Sequence, residues 1–156
     1  MNVQYILLDD SNPQHRELSI YRTGTINRVR LEDTSYKAYS SLEIGAHDYA
    51  AFFHYTAAEA LNALPFFSES GNGLDSWDES FLHNSSLNEM KRIIGECRAE
   101  INPEKNETIL LGWQDQPIGV AYMRNIDAAK FIAFLDTLIQ FVEETEAEGR
   151  DLEFIL

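Results

Sequence analysis

The segment from Asp127 to Gly149 constrains the fold most. Phe131, Leu135, Leu138 and Val142 recur at helical spacing, and Ile132 and Ile139 widen the apolar stripe. Asp127 is suited to N-cap this helix, Ile126 before it can staple onto Phe131, and Gly149 is a natural stop. A long helix with one continuous apolar face needs a broad surface to lie against, and the flanking sequence supplies strands for it. Thr108–Trp113 and Ile118–Tyr122, joined by a turn at Asp115-Gln116-Pro117, predict a hairpin. Both arms are almost continuously apolar, which predicts a central place in the sheet. Leu152–Leu156 follows as a last short strand.

The N-terminal half is read the same way. Val3–Leu8 is an opening strand, and residues 17–22 and 25–31 alternate on either side of Thr23-Gly24, as in a hairpin. Residues 40–47 and 49–54 are further strand candidates, rich in Leu, Ile, Tyr and Phe. Thr56-Ala57-Ala58-Glu59 and Ser86-Leu87-Asn88-Glu89 match the capping-box pattern. The first predicts a short helix ending before Pro65, the second a helix with Leu87, Met90, Ile94 and Cys97 or Ile101 on one face, stopped by Asn102-Pro103. Residues 67–84, with Gly71, Gly73 and many Ser, Asp and Asn, read as a long loop pinned by Trp77, Phe81 and Leu82. The expected class is α+β: a mostly antiparallel sheet with about three helices packed on one side. The 156 residues fit a single domain and carry no repeat or low-complexity linker.

Composition narrows the setting. Hydrophobic residues at 44% and charged residues at 24% suit a folded core, and Cys97 as the sole cysteine excludes an intrachain disulfide and a four-cysteine zinc site. No positively charged leader precedes the first apolar run and no stretch approaches a membrane span, so a soluble cytoplasmic chain is expected. Twenty-six acids against twelve bases give a net charge of −14, which argues against nucleic-acid or anionic-membrane binding. The charge is uneven: residues 41–90 hold eight acids and no Lys or Arg, residues 125–156 hold eight acids against Lys130 and Arg150, and residues 11–40 are mildly basic.

Candidate chemistry is sparse. Gly71-Asn72-Gly73 lacks the third glycine and the preceding strand of a dinucleotide fingerprint, and no Walker loop or nucleophile-elbow serine occurs. His47-Asp48 with His54, and His83 or His15, suggests a zinc or iron site, but in one extended strand His47 and His54 would point to opposite faces. Cys97 lies on an apolar helix face, where a thiol behaves as a small hydrophobe. No cofactor is expected. Asp75, Asp78 and Glu79 around Trp77 could anchor a cationic partner through ring and charges together. Glu143, Glu144, Glu146 and Glu148 gather in the last turns of the long helix, where the dipole favours cations and only Arg150 is nearby in sequence. A local rule broken without evident compensation marks a candidate partner-binding surface.

These features favour a non-catalytic acidic protein that masks a basic protein partner. Nucleases grip phosphates through basic faces, so an acidic domain of this kind suits a nuclease inhibitor. In size, acidity, α+β pattern and lack of catalytic motifs the chain resembles bacterial immunity proteins that neutralise polymorphic or contact-dependent toxins, although no residue motif is shared. The resemblance implies tight binding of a cognate toxin and no other activity. Two alternatives remain open: a metal-dependent enzyme built on His47, Asp48 and His54, and a structural or adaptor homodimer joined through an edge strand or the long helix.

Overall fold

The long helix organises the chain as its apolar stripe requires. The computed structural model describes residues 3–8, 17–23, 28–30, 36–38, 41–68 and 80–155. In order these form β1 (Val3–Leu8), β2 (Leu18–Arg22), β3 (Arg28–Arg30), β4 (Tyr36–Ala38), β5 (Ser41–Ile44), α1 (Ala46–His54), α2 (Ala57–Leu61), β6 (Phe67–Ser68), β7 (Ser80–Leu82), α3 (Leu87–Glu100), β8 (Asn106–Gln114), β9 (Gly119–Asp127), α4 (Ala128–Ala147) and β10 (Leu152–Ile155). The class is α+β, as expected, with four α-helices among the described residues where about three were expected. The strands form two sheets and a separate hairpin rather than one sheet. β5-β2-β10-β7-β6 is antiparallel throughout, β1-β9-β8 pairs β1 parallel to β9 and β8 antiparallel to it, and among the described residues β3 pairs with β4 alone.

Phe131, Leu135, Leu138 and Val142 of α4 are all fully buried. They share a core with Leu18 and Ile20 of β2, Ile44 of β5, Ala51 and Phe52 of α1, Leu87, Met90 and Ile94 of α3, and Leu152 and Phe154 of β10. From the three-stranded sheet only Ile126 joins this core fully, with Ile109 packed against it. That sheet is therefore a wing, held to the body by the end of β9 and the adjoining start of β8.

Several expectations are corrected. Residues 49–54 are helical: Ala46, Ala50 and Ala51 favour helix, and His47 and Ala51, four apart, are both buried on one face. Among the described residues β2 pairs not with the segment that follows it but with β5 and β10, which makes it an interior strand of the larger sheet. Neither capping box forms. Thr56 sits in the left-handed region at φ 60° with no side-chain cap, and Ser86 is helical because a 3-10 turn at 84–86 precedes α3. The His83 ring accepts from the Ser85 amide instead, and Glu89 turns to Arg92. β8 is an edge strand, so its apolar residues are only partly covered.

Both ends of α4 are pinned. At the start Asp127 caps the Lys130 amide at 3.3 Å, as its position predicts. At the end Gly149, at φ 67°, donates to Glu146 O at 3.0 Å and Arg150 donates to Thr145 O at 3.1 Å, a Schellman closure. Buried Arg22 reaches across from β2. Its Nε donates to Thr145 Oγ1 at 2.9 Å, its Nη2 to Glu144 Oε2 at 2.7 Å and more weakly to Phe141 O at 3.4 Å, and its guanidinium lies 4.2 Å from the centre of the Phe141 ring. Arg22→Met keeps the stem but removes these donors, and should cost about 3 kcal/mol in urea denaturation. Glu144→Gln, whose carboxylate is half exposed, should cost under about 1 kcal/mol. Equal losses would mean that the ion pair, rather than the helix-end bonds, provides the anchor.

Candidate functional site

The register of the three-stranded wing decides which side chains share a face. Tyr5 pairs with Ala121 and Ala121 with Trp113, while Leu7 pairs with Met123 and Met123 with Leu110. Residues directly opposite point the same way, so Tyr5, Leu7, Leu110 and Trp113 stand on one face. They are 72%, 58%, 58% and 48% exposed. The Trp113 ring lies beside Gly119, about where a Cβ would make ordinary contact at 3.5 Å, and its Nε1 donates to the Asp115 carboxylate. The ring is thus positioned, with its other surface open. Four large apolar side chains together on one uncovered face differ from singly scattered surface hydrophobics, which need no explanation.

The opposite face carries Leu8, Arg124 and Ile109 in register and looks toward α1. Between them lies a cleft of about 660 Å³, walled by Leu8, Ala46, Tyr49, Ala50, Phe53, Ile109 and Leu111, with Arg124, Glu17 and His54 as its polar groups; Leu110, at the β8 bulge, borders both this cleft and the open face. Tyr49 and Phe53 meet edge to face at 5.0 Å. Arg124 is only 4% exposed, and its Nη1 lies 3.5 Å from Leu8 O.

The histidines weighed as alternative metal ligands are each engaged within the fold. A helix brings His47 and His54, seven apart, to one side, yet each is engaged elsewhere. His47 Nε2 accepts from the Asp127 amide at 3.0 Å, at the start of α4, while Nδ1 faces Asp48 Oδ1 of α1 at 3.0 Å, so both ring nitrogens are engaged. His54 Nε2 meets Glu107 Oε2 at 2.5 Å, and Lys105 reaches the other oxygen of that carboxylate. These partners, Lys105 foremost, hold the Glu107 carboxyl below its ordinary range. His83 is engaged with Ser85, and His15 lies outside the described residues. Among the described residues no group of three or more His, Cys, Asp or Glu could hold a metal ion. Burial, then Glu100 and Glu96, pushes the Cys97 thiol up, away from the thiolate a nucleophile requires.

The acidic candidates divide. Asp75, Trp77, Asp78 and Glu79 lie outside the described residues. On α4 the helix-end glutamates are compensated from elsewhere in the fold: Glu144 by Arg22 at 2.7 Å, Glu146 by Lys91 of α3 at 2.9 Å and Glu148 by Arg150 at 3.2 Å. Glu143 is exposed and makes no ion pair among the described residues. The apparent anomaly at the helix end is therefore largely a tertiary charge match. Sequence reasoning missed the open face and Arg124; the available signal was the unbroken run Tyr5-Ile6-Leu7-Leu8, apolar on both faces of one strand. No protein-family model matches the chain, and no curated protein or solved structure is significantly similar to it.

Tyr55 stacks on Phe131 at 5.4 Å, with its hydroxyl buried and lacking a hydrogen-bond partner among the described residues. Burial, then the charge of Glu107, raises its pKa above the ordinary phenol value. A raised folded-state value contributes stability that is present below the unfolded value and lost as pH rises through the folded one. Tyr55→Phe should therefore stabilise the chain by about 1 kcal/mol at neutral pH, with the gap widening above about pH 10. Urea denaturation of both proteins at pH 7 and pH 10.5 measures this, and a constant gap would contradict it.

Proposed function

We propose that this chain is a non-catalytic binding domain that masks a basic protein, docking it on the open face formed by Tyr5, Leu7, Leu110 and Trp113. The exposure of these four side chains on one sheet face is the observation that carries the reading. Interfaces draw most of their affinity from a few large, especially aromatic, anchors that lose water on contact, and Tyr5 and Trp113 are of that kind. The net charge of −14 supplies long-range steering toward a positive partner and opposes anionic competitors. Glu143 and the half-exposed Glu144 contribute to that field although Glu144 also serves the fold. Within this class the reading is an immunity protein acting in the cytoplasm against a cognate nuclease-type toxin, whose phosphate-gripping face an acidic surface would occupy.

A second reading, a homodimer, is favoured by one feature. β8 is a nine-residue edge strand with Glu107 as its sole charge, and such edges invite pairing. Bringing two chains of −14 together opposes it at low salt, so sedimentation at rising ionic strength separates the two readings.

The test uses a partner recovered by affinity capture, identified, and purified for binding measurements. Tyr5→Ser with Trp113→Ser should weaken its binding at least about 100-fold, the scale of two interface anchors, while leaving the melting temperature nearly unchanged. The wild-type association rate should fall about tenfold or more between low and high salt. An acidic partner, or affinity indifferent to the double substitution, would overturn the proposal.

A further inference from the structure

Docking on the open face leaves one polar group of the opposite cleft without a role, the Nδ1 of His54. The cleft walls are apolar: Tyr49 and Phe53 of α1 with Leu8, Ile109 and Leu111 of the sheet. Ala46 and Ala50, one helical turn apart, leave the space that larger side chains would fill. The volume, about 660 Å³, falls in the range of small-molecule sites, which combine apolar walls with a few placed polar groups. The charged groups at the cleft, Arg124 and Glu17, are opposite in sign and both engaged within the chain, so neither calls for a charged ligand. His54 differs. Its Nε2 meets Glu107 Oε2 at 2.5 Å and its ring lies edge to face on Tyr55 at 4.9 Å, while Nδ1 has no hydrogen-bond partner among the described residues.

The tautomer of His54 follows from its neighbour. Lys105 first, and His54 with it, hold the Glu107 carboxyl below its ordinary range, so the group is a carboxylate, which only accepts. Nε2 therefore carries the proton of the neutral imidazole, and Nδ1 keeps its lone pair. We propose that the cleft binds a small uncharged aromatic molecule with one hydroxyl donor, a phenol, whose ring lies among Tyr49, Phe53 and the aliphatic walls and whose O–H donates to His54 Nδ1. An anionic ligand lacks that donor and meets the chain's charge of −14. A hydrocarbon matches the walls but leaves Nδ1 unpaired. Leu110 borders both the cleft and the open face, whereas Tyr5 and Trp113 stand outside the cleft lining, so substitutions at those two residues address docking.

The probes are 4-propylphenol and its methyl ether, 4-propylanisole, titrated at pH 8 into the full chain with isotopically labelled histidine nitrogens. Nitrogen NMR spectra of the free chain should show the His54 proton on Nε2. The phenol should move the Nδ1 resonance, and the ether should leave it in place. The phenol should also bind at least about threefold more tightly than the ether, the scale of one neutral hydrogen bond. His54→Phe keeps a ring at the position and should erase that preference. Ala50→Trp, which fills the cleft, should abolish binding of both probes, with folding checked by circular dichroism. A proton on Nδ1 in the free chain, equal affinity for phenol and ether, no phenol binding at millimolar concentration, a preference that persists in His54→Phe, or binding that survives Ala50→Trp would each overturn the assignment.

Discussion

The buried guanidinium of Arg22 is the tie on which the arrangement of the body depends. Its strand lies between β5 and β10 in the larger sheet, and its side chain meets Phe141, Glu144 and Thr145 of α4. The same corner gathers three more connections. Thr23 exchanges bonds with Asp151, Arg150 Nη1 donates to Thr23 O, and Asn84 takes up Asp151 Oδ1 and Gly149 O. The chain therefore turns from α4 into β10 at a fixed point, and β10 enters the centre of the sheet with Leu152 opposite Arg22. At the far end of the helix His47 and Asp127 do the corresponding work on the first amides. A helix held at both ends and buried along one side leaves little freedom in the body.

That economy explains the wing. The core is completed by α1, α2, α3, α4 and the five-stranded sheet, and the three-stranded sheet supplies it with little beyond Ile126. Strands whose side chains are apolar on both faces are usually covered on both. Here one face looks across a cleft to α1 and the other is open. The exposed aromatic and aliphatic residues thus follow from where the body ends. The charge follows a related logic. Bases from β2, α3 and the closing turn meet the acidic end of α4, so the fold tolerates a helix terminus that would otherwise repel itself.

Elements with strong local signals were legible in the sequence. The stripe and stop of α4, the strand at 3–8, the hairpin read at 108–113 and 118–122 and the last strand read at 152–156 needed only periodicity and turn residues. What escaped depended on partners distant in sequence. Residues 49–54 carry aromatics that suit strand or helix, and burial of His47 and Ala51 on one face resolves them as helix. The capping patterns at Thr56 and Ser86 were overridden by the turns leading into them. Continuous apolarity in β8 suggested a central strand, because sequence reports apolar character but not whether anything covers it. The glutamates of α4 were noticed for their local conflict, and Arg22 and Lys91, more than fifty residues away, were invisible to a local rule. Metal ligation by His47 was an open alternative from sequence, and both its ring nitrogens are engaged within the fold.

The central claim is that a protein partner covers the open face of the β1-β9-β8 wing. Hydrogen exchange of the chain alone and in complex with its purified partner tests this most directly. The account predicts slowed exchange confined to residues 3–8, 106–114 and 119–125, with the end of α4 unchanged. Slowed exchange at residues 143–148, with no change in the three wing strands, would contradict it.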